Sequence, residues 1–146
     1  MEDRNMEQRV WQRVRAAGEE APRSDLRQLQ REAMELAAIY QGIASRLTGK
    51  QQEQVQRLYG GEKANSSALV GIGVLSRQGG EVLKLWQPGK EDVKLQLQRC
   101  YHRTRRCMTE YLARSAEAEY GVVFERLAKR EGEHCMMIAE LLGSLG

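Results

Sequence analysis

The stretch LYGGEKANSSAL at 58–69 is answered at 127–138 by LAKREGEHCMMI. Four positions correspond at a constant separation of 69: Leu58 with Leu127, Glu62 with Glu131, Asn65 with His134, and Leu69 with Ile138. Within each stretch these residues step by 4, 3 and 4, the spacing that keeps returning to one face of a helix. The polar members therefore continue apolar seams and do not lie on wet faces. An ionised carboxylate buried alone is costly, so each seam Glu needs a metal ion, an Arg or a proton.

Working outward, each seam extends into a full helix. The second runs from about residue 50 to 77 with Val55, Leu58, Glu62, Asn65, Leu69 and Ile72 in its stripe. The fourth runs from about 117 to 142 with Phe124, Leu127, Glu131, His134, Ile138 and Leu141, and Gly143 is the expected cap. Before the second, Leu26, Leu29, Ala33, Leu36, Tyr40, Ile43 and Leu47 step 3 and 4 alternately after a Ser24-Asp25 capping signal. Before the fourth, Val93, Leu97, Cys100, Thr104, Cys107 and Tyr111 stripe a helix over about 91–115. Thr48 to Gln51 reads as a tight turn, Thr48 capping and Gln51 reaching back, so the first two helices should be antiparallel neighbours. Residues 79–90 form the long connection, in which Leu83, Leu85 and Trp86 should pack over a bundle end. Tyr40 and Tyr111 are 71 apart, so helices one-two and three-four read as two copies of one hairpin. The expected fold is an all-α, antiparallel four-helix bundle over residues 24–146. It is preceded by an appendage, residues 1–23, holding an extra short helix whose apolar members are Met6, Val10, Trp11, Val14 and Ala17.

The chain has 146 residues, enough for one domain with a sizeable core. Its two prolines, single Phe and abundance of Gln, Glu, Arg, Leu and Ala favour helix over strand. A net charge of +3 is too small to name nucleic acid as a partner, and Arg99, Arg103, Arg105 and Arg106 read as a solvated helix face. No stretch has the apolar length of a secretion signal or a membrane span. Three cysteines without a CxxC pair argue for reduced thiols in the cytoplasm. The appendage lacks an obvious partner within the chain, so a homo-oligomer, a dimer, is expected.

Glu62 with Asn65 and Glu131 with His134 each place two polar side chains one turn apart. Two readings stay open: a metal site built from these four residues, or a buried hydrogen-bond network with a Lys or Arg in place of the ion. Gly60-Gly61 beside Glu62 signals a close helix approach, a bulge or a break. His102 reads as surface, and Cys100 and Cys107 as packed thiols.

Residues 38–44 (AIYQGIA), 58–65 and 127–134 together resemble the ferritin-like superfamily, and within it the small rubrerythrin-like bundles. The resemblance spans about 120 residues, from Asp25 to Gly143. It implies a bundle with a long crossover between helices two and three, a divalent metal ion such as iron, and oxidant chemistry: iron oxidation or peroxide reduction. It also implies that the metal set is reduced. Asn65 stands where the family has His, and Ala33 and Thr104 stand where it has the outer carboxylates; Glu32, next to Ala33, is turned about 100° away. No Cys-rich electron-transfer module accompanies the bundle.

Overall fold

The computed structural model describes residues 24–76 and 89–146. The N-terminal appendage and residues 77–88, with Leu83, Leu85 and Trp86, lie outside the described residues. Those described form four helices and no strand: α1 (Leu26–Ala44), α2 (Gly49–Leu75), α3 (Val93–Arg114) and α4 (Gly121–Ser144).

Each helix exists because its seam has somewhere to go. The seams of all four helices meet in one shared core, in which Tyr40, Leu36, Leu58, Leu97 and Ile138 have almost no exposed surface, while Leu47, just past α1, and Val93 are only partly buried against it. The start of α1 is fixed locally. Asp25 accepts from the Gln28 N–H, and Gln28 Oε1 accepts from the Asp25 N–H, which satisfies two donors that a helix start otherwise leaves bare.

The turn from α1 to α2 is short, as expected, but its chemistry differs from the motif. Thr48 occupies the cap position without a side-chain bond, and Gly49 opens α2 at φ +61°, a left-handed conformation that suits glycine. Gln51 does not reach back; its amide donates to Ser144 at the end of α4. The neighbouring Gln52 reaches back instead, its Nε2 donating to the Ala44 carbonyl at 2.9 Å. Gly143 lies inside α4, whose C-cap is Leu145, and α4 begins later than the pattern suggested, at Gly121. A Cβ on Gly121 would stand 2.3 Å from the Ser115 carbonyl oxygen, so the chain closes on itself there before the helix can start.

α1 packs along α2 and α3 along α4; the two pairs join through α2 against α4 and α1 against α3. The backbones of α2 and α3 stay apart, as do those of α1 and α4, so each pair occupies opposite corners. Side-chain bonds between α2 and α4 link Gln51 to Ser144, Glu62 to His134 and Asn65 to Glu131, numbers rising on one helix as they fall on the other. Between α1 and α3, including the residues just beyond their ends, links include Ser24 to Glu110, Glu32 to Arg103, and Arg46 to Glu91.

Candidate metal centre

The i, i+3 pairs on α2 and α4 bring Glu62, Asn65, Glu131 and His134 to one level. All four are buried, the two glutamates and the asparagine completely. Asn65 Nδ2 donates to Glu131 Oε1 at 2.7 Å, and His134 Nδ1 lies 3.1 Å from Glu62 Oε1 and 3.6 Å from Glu131 Oε1. One ligand atom each from Glu62, Glu131 and His134 falls within 4.8 Å of the others. An ion held by bonds of about 2.1 Å sets its ligand atoms at most about 4.2 Å apart, so a small inward movement would close the set.

The electrostatics are unbalanced. Glu62 Oε2 and Glu131 Oε2 are buried and have no hydrogen-bond partner. Burial pushes the Glu131 carboxyl well above the usual carboxylate range; the hydrogen bond and negative charge of nearby Glu62 act in the same direction, while the Asn65 bond opposes them. Two carboxyls this close can bond to one another only through a proton. Either a proton shared between the two carboxyls or a cation between them satisfies the bare oxygens; the cation does so with both carboxyls ionised.

Three features frame the cluster. First, Gly61 is the close approach anticipated at Gly60-Gly61: a Cβ there would stand 2.2 Å from His134 Nε2, whereas a Cβ on Gly60 would meet nothing within 4 Å. The imidazole therefore lies directly on the α2 backbone with Nδ1 toward the carboxylates. Second, Arg130 Nη1 donates to Asn65 Oδ1 at 2.8 Å, so a cation does join the network. It comes from α4, one residue before Glu131, about 100° around the helix from the seam. Periodicity alone puts that position on the surface; its pairing with Asn65 is a matter of helix-to-helix distance. Third, the hydroxyls of Tyr40 and Thr104 lie 3.1 Å apart, joining α1 to α3, and the Tyr40 ring meets His134 edge-on at 6.5 Å.

The remaining candidates fall away from the site. Glu32 is held by Arg103 through two hydrogen bonds, at 2.6 and 2.9 Å, and Ala33 and Thr104 are fully buried without adding a carboxylate. His102 is exposed, with its ring against Tyr101. Cys100, Cys107 and Cys135 are buried free thiols; burial pushes Cys100 up to about 12 and Cys135 to about 11, so both stay protonated and poorly nucleophilic. The basic run on α3 is partly neutralised, Arg99 by Glu91 and Arg103 by Glu32 and Glu35. No helix among the described residues is long and apolar enough to cross a membrane.

Comparison with known proteins gives no relative to lean on: no family model, no curated protein and no solved structure matches the chain.

Proposed function

We propose that this chain is an antiparallel, ferritin-like four-helix bundle whose core binds a divalent metal ion through Glu62, Glu131 and His134. The observation that carries the reading is the pair of bare, fully buried carboxylate oxygens beside an imidazole nitrogen. Each bare oxygen costs about 1–3 kcal/mol unless it is answered, and a divalent ion answers both while leaving both carboxylates ionised, where a shared proton would neutralise one of them. The opposite senses of residue numbering between paired helices, and the separation of α2 from α3 at opposite corners, support the ferritin-like arrangement with its long crossover.

Two carboxylates and one imidazole suit iron, manganese or zinc. Bound there, iron would supply the oxidant chemistry that the rubrerythrin resemblance implies. The chain itself contributes burial from solvent, a His134 ring packed on the backbone at Gly61, and an Asn65 donor that fixes one oxygen of Glu131. In this reading Asn65 orients a ligand and is not one. A cytoplasmic location with reduced thiols, and pairing of copies through the appendage, belong to the same proposal.

A second reading has an observation in its favour. The bonds from Arg130 to Asn65 and from Asn65 to Glu131, with the His134–Glu62 contact, already link the cluster without an ion, as a structural or interaction bundle would require. Metal content after purification without chelator separates the two. The metal reading expects stoichiometric Fe, Mn or Zn; metal-free protein that takes up none of these on addition would favour the structural bundle.

A further inference from the structure

We propose that Arg130, acting through Asn65, makes this a centre for one metal ion and not two, an inference that rests on the metal reading above. The 69-residue correspondence pairs Asn65 with His134, and it also pairs Gly61 with Arg130. These four residues meet crosswise between α2 and α4. Gly61 of α2 lies under the His134 ring of α4, and Arg130 of α4 donates to Asn65 of α2. One side sets a residue without a side chain against an imidazole; the equivalent side sets a long guanidinium against a short amide. The two sides are related by the repeat and differ at both of its paired positions.

The difference has a definite consequence for the core. A guanidinium only donates hydrogen bonds, so Arg130 fixes which end of the Asn65 amide is oxygen. That oxygen is taken, and the NH₂ faces Glu131 at 2.7 Å. On the His134 side the core presents a ring nitrogen able to ligate. On the Asn65 side it presents an N–H donor with a guanidinium behind it. A cation on that side would find no imidazole nitrogen to match His134 and would face a like charge at short range. By the repeat, Arg130 stands to an imidazole at position 65 as a Cβ at position 61 would stand to His134, in its way. Arg130 and Asn65 thus work as a pair of positioning residues: they orient Glu131 and close the second half of a twofold site.

The test is the number of Co(II) ions bound per full-length chain, read by calorimetry and by metal analysis after desalting. The wild type should bind one equivalent. The double variant Asn65→His, Arg130→Gly should bind two, because the second half then also sets imidazole over glycine. Asn65→His alone should bind no more than one, since Arg130 still stands in the way. Two equivalents in the wild type, or one in a folded double variant, overturns the proposal while leaving the metal reading standing. No binding by the wild type overturns the metal reading and this inference together. A metal-independent measurement covers a double variant that fails to fold. Exchange of the Asn65 side-chain NH₂ with solvent should be several-fold faster in Arg130→Gln than in wild type, and unchanged exchange would show that Arg130 does not hold the amide.

Discussion

Between α1 and α3 the ions sit at the rim: Arg103 holds Glu32 and Glu35, and their side chains are 21%, 29% and 32% exposed. Between α2 and α4 they sit in the middle, where Glu62 and Glu131 are 0% exposed and each keeps an oxygen with no partner. The same residue types serve different ends. At the rim, one guanidinium holds two carboxylates and water shares the load, which is how a bundle fastens two helices. In the centre, charge is buried beyond what its neighbours answer, an arrangement that stability alone does not select.

The largest effects should come from disturbing the centre. Gly61→Ala drives a methyl into the His134 ring and should destabilise the protein by about 1–3 kcal/mol, the usual cost of overpacking, while displacing the imidazole from the carboxylates. Gly60→Ala, one residue away and facing open space, should instead stabilise by about 0.5–1 kcal/mol. Urea denaturation of the two variants gives both signs. Equal effects would mean that the close approach of α2 to His134 is not real.

At the rim the expected effect is smaller. Arg103→Met keeps the apolar stem across α1 and α3 but frees Glu32 and Glu35, and should cost about 1 kcal/mol, less in high salt. A loss as large as that of Gly61→Ala would erase the contrast between the two regions.

A pH series sharpens the contrast further, with the smallest change at any single step. The Glu131 carboxyl is raised in the folded protein by burial and by Glu62, so the fold prefers it protonated. Its contribution to metal-free stability is complete below the ordinary carboxyl value of about 4.5 and is lost as pH rises through the raised value. Metal affinity should run the other way, increasing with pH as the proton leaves. Urea midpoints of the metal-free protein and of Glu131→Gln, measured from about pH 5 to 8, check the sign: the wild-type midpoint should fall relative to the variant.

The seam residues were legible in the sequence because burial in a helical core imposes a period, and a polar residue that keeps this period stands out. Glu62, Asn65, Glu131 and His134 all emerged in this way, and all four meet. Glu32, set aside by its angle, does turn to Arg103. Arg130 was not legible from periodicity, because its role depends on how closely α2 and α4 approach. The spacing of Gly61 and Arg130, 69 residues apart, carried a trace of it. Turn details failed for a related reason. Gln51 has the local option of capping α2, but the end of α4 lies within reach and Ser144 takes its amide. The helix stripes over residues 24–76 and 89–146 were legible; the expected appendage falls outside the described residues.

The central claim, that the buried carboxylates and His134 hold a divalent ion, is tested most directly by thermal unfolding of metal-free wild type and Glu131→Gln with and without Mn(II). Binding to the folded state alone stabilises it by about 2.7 kcal/mol when free metal is a hundredfold above its dissociation constant. The wild type should therefore melt several degrees higher with Mn(II), while Glu131→Gln, as stable as wild type or slightly more so without metal, should not respond. An equal response of both proteins, or none from the wild type at millimolar Mn(II), would contradict the account.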